Sequence, residues 1–486
     1  MQKNQIIRVE IIDFTRQGEG IGKWEGFPLF IKDTVTGDLV EAAVTRVKKN
    51  YGYARLTRII RPSEDRVTPR CPVARQCGGC RIQQLSYEKQ LEWKQMKVAN
   101  CLKRIGGIDN VKELMEPIIG MDIRYNDDRE DKEVILKPNG NKYTNDNDRV
   151  SNNIFNCEKD FPAIRYRNKA QFPVGKDKDG NIVIGFYAGR THSIIDTDVC
   201  YLQHPINDEI IMRFRHFLEQ YNVEPYDEET HTGLVRHILT RVGKHTDEVM
   251  VCVIVNGDEL VGERELIECM KDIPGMTSIV INVNKDKTNR ILGDKCRTIW
   301  GSDTITDYIG NVKYQISPLS FFQVNPKQTE KLYRKALEYA DLTGEETVWD
   351  LYCGIGTISL FLAQNARRVM GVEIIPEAIE DAKKNAEING ITNVEFFVGK
   401  AEEVLPGEYE KNGVHADVIV VDPPRKGCDI VALNTMLKMA PERIVYVSCD
   451  PATLARDVKI LTEAQGVSYE VKKICAVDQF GHSGHV

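Results

Sequence analysis

The sequence predicts an α/β protein, with a doubly wound parallel sheet at the C-terminal end preceded by a small β-barrel and an α+β middle region. Three observations carry this prediction. From residue 347 onward, apolar strand-like runs at 347–353, 368–374, 394–399, 416–422, 443–449 and 469–476 alternate with helical stretches such as 376–389 and 453–465. That alternation builds parallel sheets. Residues 5–60 hold five short strands broken by glycines, at 6–12, 18–24, 28–31, 38–48 and 53–60, the pattern of an OB-like barrel. Between these regions lie strand patterns at 166–174, 182–187, 191–195, 234–242, 248–256 and 277–283, with a helix at 205–220. The expected domains are 1–62, 63–308 and 309–486.

Composition narrows the class. The 486 residues allow several domains with a sizeable core. The formal net charge is −7, which on its own weighs against nucleic acid. The basic residues are nevertheless grouped, with nine Lys/Arg against two acids over 42–75. The first residues lack the apolar stretch of a signal peptide. No apolar run approaches the roughly 18 residues of a membrane span. Thirteen cysteines without an export signal point to metal, cluster or nucleophile roles before disulfides. A cytoplasmic protein with no membrane contact is expected.

In the barrel, Lys48, Lys49, Arg55, Arg58 and Arg61 are interleaved with Tyr51 and Tyr53, a surface able to bind phosphates and stack bases. Next comes a C-x5-C-x2-C cluster, Cys71, Cys77 and Cys80, with Gly78 and Gly79 between the last two. Three thiolates need a fourth ligand, for which Cys200 is the candidate and Cys157 its competitor. Zinc and an iron–sulfur cluster both accept four cysteines, and spacing does not choose between them. Residues 86–104 read as an amphipathic helix with Tyr87, Leu91, Trp93, Met96, Val98 and Leu102 on its apolar face. Residues 121–160 carry ten acids, seven bases and eight asparagines, the composition of a flexible insert. In the middle region Arg165, Arg167, Lys169, Arg190, Arg236 and Arg241 are candidates to line an RNA groove.

The chemistry is expected at the C-terminal strand ends of the parallel sheet. The run from Val348 to Thr357 is a buried strand turning through Gly354 and Gly356 into a helix. Glycines there let backbone approach a ligand, and the N–H groups of the helix start face it. A dinucleotide site would have a third glycine at 359, where this chain has Ser359. The spacing from Asp350 to the glycines, with Glu373 closing the next strand, looks more like S-adenosylmethionine (SAM) methyltransferases. Asp422-Pro423-Pro424-Arg425 holds an acid on a rigid loop at the same edge. Cys449, between Ser448 and Asp450, sits at a strand terminus beside a helix start, where a lowered pKa makes a nucleophile.

Taken together, the C-x5-C-G-G-C cluster, Gly354-x-Gly356, Asp-Pro-Pro-Arg and Ser-Cys-Asp-Pro resemble the bacterial 23S ribosomal RNA (uracil-5)-methyltransferases, relatives of the tRNA (uracil-5)-methyltransferase. The barrel resembles their TRAM domain. This resemblance implies SAM as methyl donor, held by Gln323, Tyr352, Gly354, Gly356, Glu373 and Asp422. It implies Cys449 as the nucleophile that adds to uracil C6, Asp422 beside it, and 23S rRNA as partner with no obligatory protein partner. It also implies a [4Fe–4S] cluster on Cys71, Cys77, Cys80 and Cys200, with zinc second. Family members typically continue past a His-Val pair with a glutamate that acts as general base. Here His485-Val486 closes the sequence, which reads as a truncation. His482 and His485 are possible stand-ins, expected to be mobile and solvated. A tRNA enzyme, or a catalytically impaired RNA-binding homologue lacking that glutamate, is the alternative.

Overall fold

Alternation of buried and exposed positions shapes the first N-terminal strand. In β1 (Ile6–Phe14) the side chains of Ile7, Val9 and Ile11 point inward while their neighbours face water, the two-residue period of a pleated strand. With β2 (Gly20–Trp24), β3 (Phe27–Ile31), β4 (Leu39–Val47) and β5 (Gly52–Arg61) it closes a barrel in the order β1-β2-β3-β5-β4. Closure leaves no free sheet edge. In this computed structural model the described residues are 1–121, 163–189 and 191–486. The expected insert, Cys157 and Arg190 lie outside them, apart from Met121.

After the barrel come α1 (Tyr87–Arg104) and the short α2 (Val111–Leu114). Helix α1 departs from its expected pattern. Met96 is 62% exposed, whereas Gln90 and Lys94 are fully buried. The cause lies far along the chain. Lys94 Nζ pairs with the buried Asp478 carboxylate and also donates to the Phe480 carbonyl, while Gln90 Nε2 donates to the Leu85 carbonyl. Tyr87 donates to the other oxygen of Asp478 at 2.8 Å and accepts from the Met121 N–H. Met121, Tyr87 and Ala163 form one small core.

The middle region is a seven-stranded sheet. Its strands are β6 (Lys169–Lys176), β7 (Ile182–Tyr187), β8 (Ile194–Asp196), β9 (Val235–Val242), β10 (Val249–Val255), β11 (Met276–Val283) and β12 (Lys295–Gly301), in the order β12-β11-β10-β9-β6-β7-β8. Helices α3 (Ile206–Gln220) and α4 (Glu263–Met270) cover one face through Ile210, Phe214, Phe217 and Leu266. Two of the proposed groove residues are internal instead. Arg236 and Arg241 are 5% and 3% exposed, and their guanidinium groups satisfy backbone carbonyls at Asn284 and Asp286, and at Pro318 and Ser320. Strand-pattern reading sees a cation and assigns it to water, yet carbonyls buried at loop ends need donors too.

The hairpin β13 (Ile305–Ile309) and β14 (Val312–Ile316) spans the expected boundary at 308/309. Its Ile305, Ile309, Val312, Tyr314 and Ile316 belong to the C-terminal core, together with Val348, Leu360 and Val418. Beyond it run α5 (Pro326–Ala340), β15 (Thr347–Leu351), α6 (Thr357–Ala363), β16 (Arg368–Glu373), α7 (Pro376–Ile388), β17 (Val394–Val398), α8 (Ala401–Asn412), β18 (Val418–Val421), α9 (Ile430–Met439), β19 (Arg443–Tyr446) and α10 (Pro451–Thr462). The five strands are all parallel, in the order β17-β16-β15-β18-β19. The expected sixth strand at 469–476 is not a sheet strand. Its backbone pairs instead with residues 114–119, through Glu116 N–H to Ile474, Ile474 N–H to Leu114 and Ile119 N–H to Ala476. That pairing draws Ile474, Ala476 and Val486 into one core with Val98, Leu102 and Val111 of the α1–α2 segment and Ala455 of α10. Residues 87–119 therefore pack as part of the C-terminal unit.

Candidate active site

The strand order reverses at β15: β16 lies on one side and β18 on the other. A crevice opens at such a switch point, beyond the carboxyl ends of the strands. Here it is a cavity of about 1090 Å³, lined among others by Gln323, Tyr352, Gly354, Glu373, Asp422 and Cys449. The structure thus brings together every predicted cofactor and catalytic residue except Gly356, which starts α6 behind the wall.

The turn from β15 into α6 is locked by local bonds. Tyr352, Gly354 and Gly356 have φ of +70°, +55° and +78°. Such values are strained for tyrosine and easy for glycine. A side chain at 356 would also meet the Phe396 ring at 3.1 Å and Ala382 at 3.2 Å. Tyr352 and Cys353 donate their N–H groups to the Val372 carbonyl, and Gly354 N–H donates to Glu373 Oε2 at 3.2 Å. The other Glu373 oxygen accepts from Ile375 N–H. Ser359, in place of the dinucleotide-type glycine, donates at 2.5 Å to Asp350, which is fully buried. Burial pushes the Asp350 carboxyl up to about 7. Its second oxygen has no hydrogen-bond partner.

Across the cavity, Asp422 follows β18. Burial pushes its carboxyl up to about 6. Cys449 lies not at the strand terminus but three residues past β19, in the loop before α10, and is half-buried. Its thiol is raised rather than lowered: desolvation outweighs the Arg425 guanidinium, and Asp422 adds to the rise. The helix start beside it cannot reverse this, because Asp450 caps it with its own carboxylate, accepting from Ala452 and Thr453 N–H. Arg16 of the barrel reaches that same carboxylate at 3.1 Å.

Sequence reasoning missed Asp457. It is fully buried and accepts from Cys428 N–H at 2.8 Å and Tyr446 O–H at 2.6 Å, and Arg456 pairs with it at 2.6 Å. Arg456 donates in turn to the Lys426 carbonyl. The Asp457 carboxylate therefore clamps the loop that carries Asp422 and Arg425. Gly427, at φ +81°, leaves room for this clamp, since a side chain there would meet Arg456 and Asp457 at 2.5 Å. A helical Arg-Asp pair on a charged sequence stretch gave no signal beyond a solvated face.

Of the two histidines expected to be solvated, His482 is buried whereas His485 is exposed. His482 is 1% exposed; its backbone N–H donates to Gln90 Oε1, and its Nδ1 lies 3.2 Å from Gln90 Nε2. His485 lines the cavity. It is held below its usual range by desolvation, then by Arg425, Lys97, Lys94 and Arg81.

Cys71, Cys77, Cys80 and Cys200 are all free thiols. They lie within electrostatic reach of one another: burial raises the Cys80 thiol first, and Cys200, Cys77 and Cys71 each raise it further. Cys200 is pushed up to about 11, again mainly by burial. Among the described residues, however, no group of three or more His, Cys, Asp or Glu side chains is drawn together tightly enough to hold a metal ion. Four cysteine thiols are a donor set that a cluster or zinc accepts in general.

Comparison with known proteins decides the family. The sequence pattern of the tRNA (Uracil-5-)-methyltransferase family matches residues 294–486, and that of the TRAM domain matches residues 1–57. A protein of Halalkalibacterium halodurans named as an uncharacterized RNA methyltransferase is 47% identical over all of this chain and 96% of its own length. One from Clostridium tetani with the same name is 45% identical over the same shares. The chain belongs to the RNA (uracil-5)-methyltransferase family. This methyltransferase also resembles the crystal structure of Pyrococcus abyssi tRNA (uracil-54, C5)-methyltransferase in complex with S-adenosyl-L-homocysteine. The TM-score is 0.72 at 27% identity, with 98% and 97% of the two chains covered. No described helix is long and apolar enough to cross a membrane.

Proposed function

We propose that this enzyme methylates C5 of a uridine in 23S rRNA, taking the methyl group from SAM. The observation that carries the reading is one cavity with Glu373 and the Gly354 turn at one end and Asp422 and Cys449 at the other. SAM supplies an electrophilic methyl group. Glu373 is fixed by two backbone N–H groups where the next strand ends, the position from which family members grip the ribose.

Uracil C5 is too weak a nucleophile to take a methyl group unaided. The Cys449 thiolate forms a bond to C6, and the displaced electron pair makes an enolate whose C5 attacks the methyl group. A base then removes the C5 proton, the C6–S bond breaks, and the thiolate is regenerated. Arg425, which favours the Cys449 thiolate by charge and hydrogen bond, prepares it for addition. Of the titratable groups of the wall, we assign the proton to Asp422 or His485. Asp422 has the higher affinity for it, because burial keeps its carboxyl near 6. The target uridine must leave its stack to reach this depth, at a cost of a few kcal/mol.

Cys71, Cys77, Cys80 and Cys200 would hold a [4Fe–4S] cluster, with zinc the second choice. Binding such a group would release the thiol protons. Such a cluster would brace the loop against the barrel; the methyl transfer needs no electrons. Cys80→Ser is expected to remove the brown absorbance and most of the iron and sulfide, whereas full iron content in that variant would overturn the ligand assignment. The cytoplasm is the compartment we assign.

A second reading, methylation of a tRNA uridine, is supported by the likeness to the Pyrococcus abyssi enzyme over almost the whole chain. Methyl-labelled SAM offered with unmodified 23S rRNA and, separately, unmodified tRNA separates the two. 5-Methyluridine released from the tRNA alone would replace the rRNA assignment.

A further inference from the structure

In the middle sheet, β6 and β9 run antiparallel with Lys169 directly opposite Arg241. Like charges facing each other across a strand pair destabilise it unless something neutralises them. No carboxylate does so here. The half-buried Lys169 ammonium has no hydrogen bond or ion pair among the described residues. Desolvation first, then the charges of Arg241 and Arg167, bring its pKa down to about 7, and the Cys252 thiol alone acts the other way. Nε of both Arg167 and Arg241 is buried without a partner.

The cluster adjoins the active cavity. Asn168, between the two cationic residues, donates its side-chain N–H to the Gln323 carbonyl and its backbone N–H to that of Val324. Arg241 holds the carbonyls of Pro318 and Ser320. The loop so held contributes Ser320, Phe321 and Gln323 to the cavity wall, and Phe321 is 68% exposed.

We propose that Lys169, with Arg167 beside it and Arg241 adding charge from beneath, binds a backbone phosphate of the RNA next to the nucleotide that enters the cavity. A phosphate fits better than a carboxylate, since its several oxygens can serve an ammonium and a guanidinium together. The inference rests on the reading of this chain as an RNA methyltransferase, which supplies the polyanion.

The test uses the full chain and a fluorescent oligouridylate, with binding measured by anisotropy over a range of salt. Lys169→Met is expected to weaken binding about three- to thirty-fold near 0.1 M salt and to flatten the log–log salt dependence by about 0.7, the value of one single-strand phosphate contact. Lys169→Arg should keep the slope. Without RNA, Lys169→Met should melt no lower than the parent, because it removes one of three crowded positive charges. An unchanged slope overturns the site, as does a lowered melting temperature, which would make Lys169 a structural residue. If the parent methylates RNA while the slope is unchanged, only the phosphate site falls. A parent that neither binds nor methylates RNA removes the underlying reading with it.

Discussion

The two ends of the active cavity are built by opposite means. The cofactor end is local: Tyr352, Gly354 and Glu373 lie within 22 positions of one another and are fixed by bonds inside one strand–helix–strand unit. The nucleophile end is assembled from afar. Arg16 of the barrel holds Asp450, Asp457 of α10 holds the loop after Asp422, and Lys94 of α1 holds Asp478. A site made this way lets the cofactor turn stand on the parallel sheet alone, with Gln323 tied to the middle region through Asn168, while the base pocket depends on several modules being docked.

The largest expected effect is chemical and confined to the far end. Cys449→Ala should lower methylation by about 10⁴-fold or more, with SAM affinity intact by calorimetry; retained activity would dismiss the thiol as nucleophile. Next is docking. Asp478→Ala leaves the buried Lys94 without its counter-charge and should cost about 3–5 kcal/mol of stability, since an unpaired buried ion is expensive. Denaturant titration measures it, and a loss under about 1 kcal/mol would mean that the ammonium escapes to water.

At the cofactor end the expectation has the opposite sign. Asp350, raised from 3.8 to about 7 by burial, binds protons more tightly folded than unfolded. Its contribution is therefore fully present below the unfolded pKa and lost as pH rises through about 7. Asp350→Asn should stabilise the protein by roughly 2–4 kcal/mol near pH 8 and by little near pH 4. Equal effects at both pH values would show that the carboxylate is not penalised. The smallest effect belongs to Arg16→Ala. Its ion pair is exposed, with Arg16 at 58%, so stability should change by less than about 1 kcal/mol. A raised KM for RNA with unchanged KM for SAM would sharpen the contrast between the ends.

The same contrast explains what could be read from the sequence. The barrel strands and the β15–α6 turn were legible because each announces itself within a dozen residues, through a two-residue period or a pair of glycines. The clustering of Glu373, Asp422 and Cys449 followed from counting strands, since parallel strands end at one edge. Features fixed by distant partners were not legible. The polar face of α1 reads as solvated, yet Gln90 and Lys94 are internal because Asp478, His482 and the carbonyls of Leu85 and Phe480 wait for them. The 469–476 segment has strand character but pairs with 114–119 instead of the sheet edge. The Cys449 thiol was expected low from its place near a helix start, and Asp450 cancels that influence by occupying the helix end.

Met121 and Ala163 rest side by side against Tyr87, with Gly481 packed close to both. For protein engineering, this is a built-in splice point. Because Met121 and Ala163 are already held together, the residues between them can be exchanged for a short glycine-serine linker or for a folded reporter whose own termini are adjacent, since closing a loop between touching positions costs little and that cost grows only slowly with length. Since Tyr87 also holds Asp478, a fluorophore inserted there would sit one hydrogen bond from the strut that docks α1, and would report on the docking of the base pocket without entering it.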